Sequence, residues 1–342
     1  SNQFISIMKA AVLEGIDQPL VLRDVKCTDL KIGQVLVKNI VSGICGAQLQ
    51  EIRGFKNNAK FLPHLMGHEG CGIVQEIGAG VSTVKVGDKV VMHWRLGSGI
   101  ESDFPNYILN KKIISSGKVT TLSEYSIVSE NRLTSVPKDT PSDLCAILGC
   151  ALTTALGIID NETDLKFGES LAIIGCGGVG LNLIQAASLK NACPIIAIDQ
   201  NENKKQLCLQ SEASIFLKDI KNYQDKVDII IDTTGIPEVI SNAIDKLSDK
   251  GRLILVGQPE PGKLIEISNA INLFNGIGKI IKATQGGKTD PQNDIPRYIK
   301  LFNNGRLKVD HLFTHKLDLK DINKGFDILR SGEAGRVIIS TN

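Results

Sequence analysis

The run Gly175-Cys176-Gly177-Gly178-Val179-Gly180 constrains this chain more than any other feature. Glycines at this spacing are common in tight turns and mean little alone. Here the run follows LAIIG (171–175), an unalternating apolar segment that reads as a buried strand, and opens an apolar stretch at 179–189 that reads as a helix. In that context Gly175 allows a tight turn, Gly177 lets the backbone approach a pyrophosphate, and Gly178 and Val179 complete the run where the helix begins, at Val179. Gly180 lets helix and strand pack closely. The helix N-terminus offers unpaired N–H groups and the positive end of its dipole to phosphate. Asp199 closes the next apolar run, nineteen positions after Gly180. A carboxylate there accepts hydrogen bonds from ribose hydroxyls and repels a 2′-phosphate, favouring NAD over NADP. Lys204, one helical turn on, is a second candidate for the ribose. Taken alone, Asp199 reads equally well as a helix N-cap, since Asn201 and Glu202 follow it.

The surrounding chain repeats the same strand–helix unit. IIAID (195–199), VDIIID (227–232) and RLILVG (252–257) are apolar runs suited to strands covered on both faces, and helical segments at 201–211 and 237–247 separate them. Such alternation predicts an α/β fold with a doubly wound parallel sheet over 153–285. Residues 1–152 are punctuated by Gly and Pro and predict a β-rich domain, with strands at 9–13, 35–41, 71–77 and 89–93. Residues 94–118, rich in Gly, Ser and Asn, read as an irregular surface lobe. After about 290 the mixed pattern returns, so 286–342 is expected to rejoin the first domain.

With 342 residues and 42% apolar composition, two cores of ordinary size are available. Lys and Arg number 39 against 37 Asp and Glu, a formal charge of +2, which argues against a nucleic-acid surface or a polybasic membrane patch. No apolar run is long enough to span a bilayer. The opening SNQFISI lacks the pattern of a secretory signal, and Met8 reads as a native start with residues 1–7 as an extension. Eight cysteines, at 27, 45, 71, 145, 150, 176, 193 and 208, are scattered in a way that suits reduced thiols in a cytoplasmic enzyme rather than a disulfide scaffold.

Three short glycine-bearing motifs, GICG (43–46), GHEG (67–70) and GCAL (149–152), supply Cys45, His68 and Cys150. Two thiolates and an imidazole suit Zn²⁺ and leave a fourth position for a substrate oxygen. Each cysteine alone reads more often as a small buried apolar residue than as a ligand. The chain resembles the zinc-containing medium-chain alcohol dehydrogenases over nearly its whole length. The matching stretches are SGICG (42–46), GHEGCGIVQEIGAGVSTVKVGDKV (67–90), GCALTTALG (149–157), GCGGVG (175–180) and INKGFDILRSGEAGRVII (322–339). The resemblance implies a GroES-like β-rich catalytic domain and a Rossmann cofactor domain, with the site in the cleft between them. It implies Cys45, His68 and Cys150 as ligands of a catalytic zinc, with Glu69 as a nearby acid that contacts the metal transiently. It places Thr154 near the nicotinamide and Arg336 on the cofactor pyrophosphate. The implied activity is hydride transfer between an alcohol and NAD(H), in a homodimer or homotetramer.

Two departures stand out. Residues 91–135 contain no cysteine, so the structural zinc common in the family is not expected, and the lobe is expected to be held by packing alone. The family commonly carries Ser or Thr two residues after the first cysteine ligand, Asp three residues after it, and His at the next relay point. This chain has Ala47, Gln48 and Gln50. An amide does not accept a proton at neutral pH, which leaves Glu51, Glu69, His64 or water to carry it. His64 reads more readily as a structural histidine. The altered relay and lobe point to a specialised substrate, a polyol or sugar-derived alcohol rather than ethanol. A zinc-free quinone or enone reductase of the same superfamily, and a non-catalytic NAD-binding protein, are the alternatives. The intact ligand set weighs against both.

Overall fold

The computed structural model describes residues 7–342, and the segment 1–6 of the expected extension lies outside the described residues. The chain divides into two compact units. The first runs through Cys150 and adds Asp290–Asn303 and Phe313–Asn342. The second comprises Ala151–Thr289 and Asn304–Leu312, so residues 304–312 cluster with the second unit rather than with the C-terminal return.

The first unit is built on two sheets. One has five strands in the order His64–Leu65, Ile7–Leu13, Val21–Cys27, Tyr107–Leu109, Lys112–Ile114. The other centres on the eleven-residue strand Gln34–Ile44, which pairs antiparallel with Gly70–Ile77, Tyr125–Ser129 and Arg336–Ser340. Val35, Val37, Val74, Val90 and Val128 pack on one another beneath this sheet. Near its C-terminal end, Ile44 belongs to a second cluster with Met66, Val337, Ile339 and Phe326. Phe326 comes from the helix Ile322–Ser331, whose Ile322, Gly325 and Phe326 recur at helical spacing on the buried face and whose last turn closes on Gly332 in the left-handed region (φ 74°). Register along this sheet brings Ile338 opposite Gly43 and Cys71 opposite Val41, so Gly43, Glu69 and Arg336 meet.

The lobe differs from its expected form in two respects. Residues 107–114 are not irregular. They form a hairpin turning at Asn110 and Lys111, both with positive φ (49° and 65°), with Tyr107, Leu109 and Ile114 on the buried face. The two-residue turn has no glycine, so its signal was hidden. Nor is packing the only restraint. The Glu130 carboxylate accepts from the backbone N–H groups of Ser82, Thr83 and Ile100, and Glu101 pairs with Lys118 and Arg132. Burial opposes the Glu130 charge, yet these N–H groups hold its carboxyl below the ordinary range.

In the second unit six strands are all parallel, in the order Ile215–Leu217, Ile195–Ile198, Leu171–Ile174, Val227–Asp232, Leu247–Leu255, Ile280–Ala283. By chain order that is third, second, first, fourth, fifth, sixth, the doubly wound arrangement in which ligands bind at the carboxyl ends of the strands. Ile240, Ala243 and Ile244 of the helix Pro237–Lys246 pack against Ala172, Ile230 and Leu253. All eight cysteines are free thiols. Among the described residues no single helix is long and apolar enough to cross a membrane.

Candidate metal and dinucleotide sites

The strand Gln34–Ile44 runs directly into the helix Gly46–Ile52, so Cys45 stands at the end of a central strand and caps the helix in an extended conformation. His68 lies between His64–Leu65 and Gly70–Ile77, and Cys150 follows the helix Ser142–Leu148. These elements bring two thiols to one imidazole. Cys45 Sγ is 3.5 Å from His68 Nε2, and Cys150 is hydrogen-bonded to the same ring. Tetrahedral zinc with Zn–S of about 2.3 Å and Zn–N of about 2.0–2.1 Å has an S···N edge of about 3.5 Å, which the Cys45–His68 separation fits. Among the described residues no three or more His, Cys, Asp and Glu side chains are grouped closely enough to hold a metal ion as they stand. The contacts run pairwise through His68.

Burial pushes the Cys45 thiol up, against Arg336 and the N–H groups of Ala47 and Gln48, which favour the thiolate. Burial alone would lower the His68 pKa, but Cys150 and Glu51 beside the ring raise it overall. A divalent ion at this point would favour thiolates and a neutral ring. Gln48, fully buried, touches both sides of this group: Oε1 accepts from the Cys45 N–H at 2.7 Å, and Nε2 lies 2.5 Å from His68 Nδ1.

Glu69 and Arg336, 0% and 2% exposed at their side chains, form an ion pair. Gly43 faces them, and a Cβ there would run into both the carboxylate and the guanidinium, so the close approach requires glycine. The structure thus brings Arg336 to Glu69. Of the candidate proton carriers, His64 is engaged at both nitrogens: Nδ1–H donates to the Leu65 carbonyl at 2.8 Å, and Nε2 accepts from Asn58 Nδ2–H at 2.9 Å. Glu51 is half-buried. Burial raises its pKa, while His68, His64 and Lys56 pull it the other way.

In the second unit, Gly175 turns the chain at φ 91°, and Gly177 caps the helix Gly178–Leu189. A Cβ on Gly180 would collide with the Gly175 carbonyl, whereas one on Gly177 would enter open space, the room a pyrophosphate needs at a helix N-terminus. Val179 follows in the first turn. Asp199 Oδ2 accepts from Cys176 N–H at 2.8 Å and Oδ1 from Asn201 N–H at 2.9 Å, and each oxygen retains accepting capacity. The N-cap of the next turn is Asn201, not Asp199. Asp199 lines a cavity of about 190 Å³ together with Gly175, Lys218, Asp219, Thr234 and Ile236. Lys204 is buried near Asp199, and burial lowers its pKa against the pull of that carboxylate. Thr154 is buried in the helix Ala151–Asn161 of this unit. The sequence reading missed Lys218, Asp219 and Thr234. Each sits just past the end of a parallel strand, a positional signal available once strand order is known.

A doubly wound dinucleotide-type sheet in one unit, and a Cys–His–Cys convergence on an antiparallel scaffold in the other, define a metal-assisted nicotinamide-type oxidoreductase architecture. The comparisons agree. Residues 31–138 match the alcohol dehydrogenase GroES-like domain, and residues 178–304 match the zinc-binding dehydrogenase domain. Alcohol dehydrogenase 6 of Peromyscus maniculatus is 29% identical, covering 97% of each chain. S-(hydroxymethyl)glutathione dehydrogenase of Paracoccus denitrificans is 27% identical over 97% of this chain and 99% of its own. The crystal structure of benzyl alcohol dehydrogenase from Acinetobacter calcoaceticus superposes with a TM-score of 0.88 at 25% identity, covering 99% of this chain and 100% of that one. The chain belongs to the zinc-containing alcohol dehydrogenase family of the medium-chain dehydrogenase/reductase superfamily.

Proposed function

We propose that this chain interconverts an alcohol and its carbonyl compound with NAD(H), using one zinc ion held by Cys45, His68 and Cys150. The observation that carries the reading is that Cys45 and Cys150 both contact the one imidazole of His68, Cys45 at the 3.5 Å edge that tetrahedral zinc requires. A zinc ion held there supplies Lewis acidity to the substrate oxygen, and NAD supplies the hydride acceptor. The remaining work falls to the chain. The N–H groups at Gly177 to Gly180 receive the pyrophosphate, and Asp199, with Lys204 behind it, receives the ribose. Arg336, which the family resemblance assigns to the pyrophosphate, has no hydrogen-bond acceptor for its Nε–H among the described residues. Glu69 holds Arg336, and Thr154 lies along the nicotinamide.

Glu51 takes the substrate proton, because His64 and Glu69 are committed elsewhere and burial moves the Glu51 carboxyl toward the proton-accepting range. Glu51→Gln is expected to lower kcat by about 10²-fold or more and to remove the acidic limb of its pH profile. An unaltered profile would exclude Glu51. The absence of cysteine from 91–135 supports a single zinc per chain. A cytoplasmic homodimer or homotetramer acting on a polyol or sugar-derived alcohol completes the reading. Cys45→Ala and His68→Ala are expected to lose zinc, by elemental analysis, and turnover, by NADH absorbance, while binding NADH as before. Full turnover in a rigorously metal-free preparation would overturn it.

A further inference from the structure

Gln48 is buried between two groups that make opposite demands on it. It is the third residue of the helix Gly46–Ile52 and is 0% exposed, with one end of its amide on the Cys45 N–H (2.7 Å) and the other on His68 Nδ1 (2.5 Å). A primary amide has one accepting end and one donating end. The Cys45 N–H only donates, so it must meet the oxygen. The NH₂ therefore donates to His68, and Nδ1 must accept. In a neutral imidazole whose Nδ1 accepts, the proton sits on Nε2, the atom 3.5 Å from Cys45 Sγ. Metal ligation through Nε2 demands the reverse: the proton moves to Nδ1 and is donated to an acceptor beside the ring. Turning the amide over does not resolve the conflict, because its NH₂ would then oppose the Cys45 N–H. A carboxylate of the same length would accept from both.

We infer that Gln48 is a positioning residue that weakens the zinc site, by opposing the His68 tautomer that ligation requires. The inference rests on the zinc reading given above. With Gln48 in place, zinc binding must break one of two buried hydrogen bonds, so occupancy should respond to free zinc rather than stay saturated.

The test is Zn²⁺ affinity by chelator competition on the full chain, alongside Gln48→Glu and Gln48→Met, with thermal melts to confirm folding. Gln48→Glu, which supplies two acceptors, should bind zinc about tenfold to a hundredfold more tightly, the usual scale for a partner of a ligating histidine. Gln48→Met, with neither charge nor hydrogen bonds, should bind at least as tightly as the native chain, because it removes the opposition. If Gln48 instead supported the ligand, Gln48→Met would weaken binding tenfold or more, and the inference would fall. Long-range ¹H–¹⁵N spectra of the metal-free chain, assigned with His68→Gln, should show His68 protonated at Nε2, and a proton on Nδ1 would overturn it. Equal affinity in all three chains overturns this inference alone. Zinc uptake by none of them overturns the zinc reading as well.

Discussion

At the scale of single residues, His93 shows how much one buried ring adds to pH dependence. It is 2% exposed; Nδ1–H donates to the Arg95 carbonyl at 2.7 Å, and Nε2 accepts from the Thr134 hydroxyl at 2.9 Å. Burial pushes its pKa down from 6.5 to about 4. The folded chain thus prefers the neutral ring. Above about pH 6.5 both folded and unfolded states are neutral and the contribution is complete. Below it the unfolded chain takes up the proton first, and stability falls until about pH 4, by at most about 3 kcal/mol. Urea titrations between pH 7 and 4 should show this slope, and His93→Phe should flatten it. Equal slopes in the two chains would place the effect elsewhere. The ligand motifs, the glycine fingerprint and Asp199 were legible as residue types. The Gln48 bridge was legible only as a departure from the family pattern, because its two partners, Cys45 and His68, are 23 positions apart and meet only in the fold.

At the scale of elements, the parallel strands were readable because both their faces are covered, which leaves unbroken apolar runs such as VDIIID. The hairpin Tyr107–Leu109 to Lys112–Ile114 was not, because its turn uses Asn110 and Lys111 in place of glycine. The proposed determinant of cofactor choice also sits at a strand end. Asp199 stands past the end of Ile195–Ile198, held by the Cys176 and Asn201 N–H groups, and faces the cavity. Asp199→Ala should shift the ratio of kcat/KM for NAD over NADP by about tenfold towards NADP, the scale of one lost polar interaction of about 1.4 kcal/mol. An unchanged ratio would remove Asp199 from cofactor selection.

At the scale of the whole molecule, the candidate ligands and the dinucleotide fingerprint belong to separate units: Cys45, His68 and Cys150 to one, Gly175 and Asp199 to the other. Cofactor binding should therefore stabilise the protein without the metal. NADH at a hundred times its Kd adds about 2.7 kcal/mol, a rise of several degrees in Tm. The rise should persist after chelation, while turnover does not. Loss of the NADH shift on chelation would show that the cofactor unit needs the cation.

The sequence by itself determined the α/β class, the doubly wound cofactor unit, the dinucleotide fingerprint and the ligand candidates, since these are written in local periodicity and short motifs. Tertiary structure alone decided that Arg336 meets Glu69 across Gly43, that His64 is occupied at both nitrogens, and that a buried amide joins Cys45 to His68. Those outcomes depend on strand register and on which donors and acceptors remain unpaired after packing, neither of which any stretch of adjacent residues records.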